Sequence, residues 1–285
     1  MVKKWNGEKV FDICTYIILF GVMVICLFPL LYVVSVSLTP MSEVLKQGGF
    51  LVIPKKVTMD AYKAIFEQRL LPRSMVITAF VTVAGTAINM IFTTLMAYPL
   101  SKTKLPGRTK LVPFIVFTML FNGGTIPTYL LIKNLHLIGT YWALLLPGAI
   151  WTYNLLVVKA FFENLPEELF ESARIDGAGE FRVLWKIALP LSKPVMMTVM
   201  LFYAVGHGET YFAAIMYLPD QKMQTLQVVL RRMLTPNSEM NPDTVVPTMT
   251  LQMAMVVFSS LPIIIVYPFI QKYFTKGVML GAVKG

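Results

Sequence analysis

The sequence predicts an all-α membrane protein with six transmembrane helices, and three observations carry that prediction. Hydrophobic residues make up 56% of the 285 positions and charged residues only 14%, against about 45–50% and about 25% in ordinary globular chains. Several apolar windows reach the ~20 residues that a helix needs to cross about 30 Å of hydrocarbon. The basic residues fall between those windows, where they set the orientation of a membrane chain.

The first span, Ile13 to Leu38, follows MVKKWNGEKVFD. It is longer than the apolar region of a signal peptide and has no small-residue cleavage site, so it is expected to be retained. Cys14 and Cys26 both lie in it. On one helix they would stand about 18 Å apart, too far to pair, and they are expected to be packing residues. The remaining spans are Met75 to Leu100, Leu111 to Ile132, Tyr141 to Phe161, Val195 to Leu218 and Thr248 to Phe274. Pro99, Pro113, Pro127, Pro262 and Pro268 fall inside three of them, which is tolerated in lipid when neighbours satisfy the freed carbonyls. With no internal repeat, low-complexity tract or soluble domain, residues 1–285 are expected to form a single membrane domain.

Orientation follows from the loop SKTKLPGRTK, whose Lys102, Lys104, Arg108 and Lys110 meet no acid; short basic loops stay in the cytoplasm. Alternation then places both termini inside, in agreement with Lys3, Lys4 and Lys9 and with Lys272, Lys276 and Lys284. It places residues 39–74 and 219–247 outside and the loop 163–193 inside. The net charge of +10 is accounted for by these clusters, and no basic stripe with interleaved aromatics points to nucleic acid.

The loop 163–193 holds Glu163, Glu167, Glu168, Glu171, Asp176 and Glu180, six of the fifteen acids, so it should be structured and wet. Pro166 followed by Glu167 and Glu168 starts a short helix, because proline suits its first position and the dipole favours acids in its first turn. Leu169, Phe170 and Ala173 keep helical spacing, and Gly177 and Gly179 end it. In a second short helix Phe181, Leu184, Trp185 and Ala188 recur at i, i+3, i+4 and i+7, with Arg182 and Lys186 off that face; Leu189-Pro190 is expected to stop it. Such a helix-turn-helix is either an amphipathic connector tucked against the bundle or a docking surface, and the physics leaves both open.

Glu171, Ala173, Gly177, Ile187 and Pro190 fit the pattern EAA, three residues, G, nine residues, I-x-LP, with Ser172 at the second alanine. The chain thereby resembles the inner-membrane permeases of bacterial ATP-binding-cassette importers. That resemblance implies a type I importer permease fold with the EAA loop as a coupling helix. Glu171, Ala173, Arg174, Asp176, Gly177, Ala178, Ile187 and Pro190 would then engage a separate ATPase subunit. FNGGTIPTYLLIKNLHLIGTYWALLLP and the tail YPFIQKYFTKGVMLGAVKG are similar to carbohydrate permeases of the maltose-type group, in its LplC/YtcP-like branch. This implies import of an oligosaccharide, including polyuronide or other plant and algal fragments. It further implies a heterodimer with a second homologous permease, two ATPase subunits and an extracytoplasmic solute-binding protein, all at the cytoplasmic membrane. ATP and Mg would be used by the partners, with no cofactor on this chain, which lacks the phosphate-binding GxxxxGK[ST] loop and is not expected to be an enzyme.

A charge within hydrocarbon costs about 2.5–3.5 kcal/mol or more, and usually faces a cavity. Glu209 is the one acid expected deep in a span, in the run AVGHGETYFAAIMYL. His207, Glu209, Thr210, Tyr211 and Phe212 are therefore candidates for the substrate path, with Gly206 and Gly208 leaving room. Related permeases read more like GHWN here, so Gly208 and Glu209 are departures. The other reading is interhelical glue, with His207 and Glu209 pairing to each other or to the partner permease. Asn122, with Gly123 and Gly124, either lines the path or packs; Asn89 and Asn154 share that ambiguity. His136 is read as a solvated turn residue, and Met196, Met197, Met200, Met253 and Met255 as adaptable packing. Nothing has metal-ligand spacing. Two rivals stand beside the importer: an ion-gradient-driven secondary transporter, which would want more membrane carboxylates and inverted repeats, and an intramembrane enzyme. For the latter, His207 and Glu209 point roughly 200° apart on a helix and cannot cooperate.

Overall fold

The computed structural model describes residues 7–49, 51–67, 69–235 and 248–282, and its regular elements there are all helical. The basic residues Lys3, Lys4 and Lys284, and positions 236–247 of the second long external segment, lie outside the described residues.

Helix α1 (Gly7–Ser37) runs 31 residues through the first expected span with Pro29 inside it. Most of its apolar side chains are exposed, Cys14 and Cys26 with them. Short helices α2 (Met41–Lys46) and α3 (Asp60–Glu67) follow, and α4 (Leu70–Ser101) carries the second span over 32 residues.

The third expected span, 111–132, is not one helix. α5 (Arg108–Leu120) stops, and α6 (Thr125–Asn134) leaves at 111°. The side-chain oxygen of Asn122 accepts the Gly124 N–H at 2.9 Å, and Gly124 sits at φ 90°, ψ 173°, a conformation essentially closed to residues with a Cβ. The fourth, 141–161, is also divided: α7 (Trp142–Leu145) is a single turn, and α8 (Thr152–Glu163) has 12 residues, about 18 Å of rise. Pro147 and Gly148 lie in the gap, where proline has no N–H to give a helix.

In the loop, α9 (Glu167–Ile175) is followed by α10 (Glu180–Leu191). After an 85° bend at Ser192, α11 (Lys193–Gly208) runs on. The fifth expected span, 195–218, is therefore broken too: α11 ends before Glu209, and a separate α12 (Phe212–Tyr217) completes it. Lastly come α13 (Leu226–Leu234) and α14 (Met249–Ala282), the latter 34 residues long with Pro262 and Pro268 inside. Among the described residues α1 and α4 each contain a stretch long and apolar enough to cross a membrane alone. Counting each bent pair as one span brings the number to four.

The chain divides into two compact units. In the unit drawn from Met1–Pro72 and Leu230–Leu261, Ser37 and Tyr62 share a 2.8 Å hydrogen bond, the Leu38 carbonyl accepts the Thr58 N–H at 2.8 Å, and Phe66 meets Phe258 edge-on at 5.4 Å. In the unit drawn from Arg73–Val229 and Pro262–Gly285, one buried cluster joins Ala97, Tyr98, Leu155, Phe162, Phe170, Val183, Ala188 and Tyr203. Both candidate regions, the loop and the α11 break, belong to this second unit.

Candidate functional site

α9 ends as its sequence requires. Gly177 takes φ 78°, Ala178 N–H reaches back to the Ala173 carbonyl at 2.9 Å, and Gly177 N–H to that of Arg174 at 3.0 Å. This left-handed cap satisfies carbonyls that the helix end would leave open. Phe170 is buried, Ala173 and Ala178 pack beside it, and Glu171, Ser172, Ile175, Asp176 and Gly177 remain exposed.

A polar latch fixes this loop to the end of α4. Arg174 Nε donates to Glu180 Oε1 at 2.8 Å and its Nη1 to Glu167 Oε1 at 3.1 Å, while the Tyr98 hydroxyl donates to Glu180 Oε2 at 2.7 Å. Lys102 Nζ stands 3.6 Å from the Phe170 ring centroid and 3.9 Å from Glu167, a cation held by a ring face as well as a carboxylate. The Tyr98 hydrogen bond, helped by Arg174, holds the Glu180 carboxyl below its ordinary range. Burial pulls the Lys102 ammonium below the usual lysine value. A second junction joins Arg108 and Lys159 to Glu163.

Two expectations about α10 are corrected. Pro190 does not end it: Leu184–Ala188 widens into a π turn and the helix continues through Leu189–Leu191. The wider turn relieves the clash a proline ring makes with the carbonyl four residues back. Nor do Phe181 and Trp185 lie on its packed face. Val183, Leu184 and Ala188 are buried, whereas Phe181 is 67% and Trp185 56% exposed. The segment carries two adjacent apolar stripes, and the cluster around Phe170 accepts only the one containing Val183.

In α11, Val199, Tyr203 and His207 form the buried face. Asn89 donates from Nδ2 to the Gly148 carbonyl at 2.5 Å, so its Oδ1 accepts from His207 Nε2, 2.7 Å away. His207 thus pairs with α4 of its own chain and not with Glu209. Tyr203 shares a 2.6 Å hydrogen bond with Thr93, and its hydroxyl accepts the Trp151 N–H at 3.3 Å. Gly206 leaves no empty space, because the Trp151 indole occupies the position a side chain there would take; the His207 ring does the same at Gly85.

Glu209 lies beyond the last turn of α11, not deep in a helix. It is exposed, with its N–H on the Val205 carbonyl at 3.0 Å. Thr225 Oγ1 donates to the Thr210 carbonyl at 2.8 Å and steadies the break, Tyr211 packs partly buried beside the cluster of Ala214 and Tyr217, and Phe212 is exposed. Asn122 is exposed at the other break. The structure therefore separates the candidates into a withdrawn His207 and exposed Glu209, Phe212 and Asn122.

Residues 109–280 match the family described as "Binding-protein-dependent transport system inner membrane component". The chain belongs to this family. As a permease it is 47% identical to Protein LplC of Bacillus subtilis, over 98% of this chain and 97% of that one. It is 43% identical to the polygalacturonan/rhamnogalacturonan transport system permease protein YtcP of the same organism, over 98% and 99%. A chain in the crystal structure of a bacterial ABC transporter involved in the import of the acidic polysaccharide alginate superposes with TM-score 0.88 at 31% identity, covering 96% of this permease and 100% of itself. The permease is the inner-membrane subunit of an ATP-driven, binding-protein-dependent importer of the type I fold. It works with an ATPase, a substrate-binding protein and a second permease, and hydrolysis resides in the separate ATPase subunits. An ion-gradient-driven mechanism is not favoured.

Sequence reasoning missed the permease's Trp151, Tyr203 and Tyr98 as positioning residues. Tyr203 and His207 stand four apart, a helical spacing that could have marked them as one face, but nothing in the sequence announces that Trp151 meets Gly206.

Proposed function

We propose that this permease is one half of a heterodimer that passes an oligosaccharide, a polyuronide or related plant or algal fragment, from an extracytoplasmic binding protein into the cytoplasm. The observation that carries this is the latched loop: α9 and the turn after it expose Glu171, Ile175, Asp176 and Gly177, while Arg174, Glu180 and Glu167 tie the loop to Tyr98 of α4 and to Lys102 just beyond its end. A push on the exposed surface is therefore delivered to a spanning helix. The polygalacturonan/rhamnogalacturonan transport of YtcP and the alginate import of the superposed transporter support the substrate class.

In this reading both termini and the loop 163–193 face the cytoplasm and two ATPase subunits bind ATP and Mg; this chain binds no cofactor of its own. Glu171, Ala173, Arg174, Asp176, Gly177 and Ala178 form or shape the docking surface, and Ile187 and Pro190 carry the motion into α11. Glu209, Thr210, Tyr211, Phe212 and Asn122 line the path at the two helix breaks. There, exposed backbone is tolerated because it borders a cavity. His207 positions the break from behind. The 1–285 chain acts as one membrane domain.

Reconstitution with the second permease, ATPase and binding protein tests the reading. ATP hydrolysis should rise with loaded binding protein, and labelled oligogalacturonide should accumulate only with ATP. Uptake by this polypeptide alone, driven by a proton or sodium gradient, would overturn it.

A further inference from the structure

The exposed stripe of α10 matches neither a solvated surface nor a packed one. Its aromatics Phe181 and Trp185 are exposed with ring centroids 6.2 Å apart. Arg182 and Lys186 alternate with them, and among the described residues neither has a carboxylate partner. A cleft of about 460 Å³ adjoins the stripe, walled by Leu95, Pro99, Leu105, Pro106 and Phe181, with Lys104 exposed at it. Glu180, the one acid of that cleft, is already committed to Tyr98 and Arg174.

Geometry fixes the depth of this patch. α10 meets α11 at 85°, so when α11 crosses the bilayer α10 lies in the plane of its surface. The aromatics then sit at the level where tryptophan rings anchor, and the cations where headgroup phosphates lie. Leu95 belongs to the spanning helix α4, which makes the cleft continuous from hydrocarbon to the basic loop.

From these juxtapositions we infer that Phe181, Trp185, Lys104, Arg182 and Lys186 form a binding site for an anionic phospholipid of the inner leaflet. An acyl chain lies in the Leu95–Pro106 cleft, and the headgroup phosphate lies among the three cations. The inference rests on the cytoplasmic placement of the loop proposed above. A lipid held there would brace α10 against the membrane while α9 is moved by the ATPase.

Brominated lipid, which quenches tryptophan on contact, tests this in the assembled four-subunit transporter. Nanodiscs of brominated phosphatidylglycerol and of brominated phosphatidylcholine are compared, for wild type and for Trp185→Phe. The emission that Trp185→Phe removes should be the part quenched, and more strongly by phosphatidylglycerol. Each of Lys104→Gln, Arg182→Gln and Lys186→Gln should lower the preference for phosphatidylglycerol about fivefold, the factor expected per basic residue near an anionic surface.

Emission from Trp185 unquenched by either lipid would overturn the site. Acrylamide would then tell a solvated ring, which it quenches, from one covered by the ATPase, which it does not. Equal quenching by both lipids, unmoved by the charge variants, would likewise reject an anionic site. Failure of the coupling reading would appear separately, as ATP hydrolysis that ignores the binding protein in wild type.

Discussion

The indole of Trp151 stands where a side chain on Gly206 would have to be. The next residue, His207, turns about 100° away from it and fills the position that a side chain on Gly85 would take. Two glycines and two rings thus set how α11 seats against its neighbours just before its break, and the Trp151 and Tyr203 rings, 5.0 Å apart and edge-on, continue the contact.

Gly206→Ala should therefore act as overpacking and cost about 1–3 kcal/mol. Thermal unfolding of the purified transporter should show the loss. In a Trp151→Ala background the same substitution should cost less, a coupling that two independent sites would not display.

His207→Leu would leave the buried Asn89 Oδ1 without its donor, and an orphaned buried acceptor costs about 1–3 kcal/mol. His207→Gln keeps a donor and should lose less. Equal losses in the two variants would mean that packing, not the hydrogen bond, holds the break.

The latch carries a pH signature. Glu180 is held below the ordinary carboxyl range, first by Tyr98 and then by Arg174. Its contribution is present above the unfolded value of about 4.3 and is lost as the pH falls from there through the depressed folded value. Loop protection in hydrogen exchange should thus be flat from pH 7 to about 5 and should weaken only under acid. Glu180→Gln should remove that acid-dependent step, modestly because the carboxylate is partly exposed.

Gly177 holds φ 78° at the end of α9, and a side chain in that left-handed region costs about 1–2 kcal/mol. Gly177→Ala should displace Ala178 and, with it, the exposed residues around Asp176 that the proposed docking surface needs. Uptake should fall, and binding-protein stimulation of ATP hydrolysis with it. A connector with no docking role would leave the stimulation intact.

Glu209→Gln tests the path at the α11 break. With Glu209 exposed there, loss of its charge should change the uptake ratio of acidic to neutral oligosaccharides, in favour of the acidic ones, while ATP hydrolysis persists. An unchanged ratio would remove Glu209 from the path.

Apolar run length and the spacing of charges were enough for an all-α membrane chain, because both are properties of the linear sequence. The first helix of the loop 163–193 was equally legible: Pro166, the acids behind it and Gly177 act within one or two turns of themselves, and α9 lies where those local signals put it. The breaks at Asn122–Gly124 and after Gly208 were not read, although their glycines were visible, since an apolar window is blind to where a helix stops inside it. The exposed side of α10 was misread for a different reason. Two apolar stripes run side by side there, and only the cluster around Phe170 decides which is covered.

The sequence by itself thus determined the solvent this protein lives in, its helical class and the place of the short helix that opens the loop 163–193, all set by local chemistry. The tertiary structure decided what no local rule contains: that His207 answers to Asn89 in α4, that Gly206 makes room for Trp151, and that Arg174 and Glu180 tie the loop to Tyr98. These contacts join residues distant in the chain, and their partners are chosen by packing.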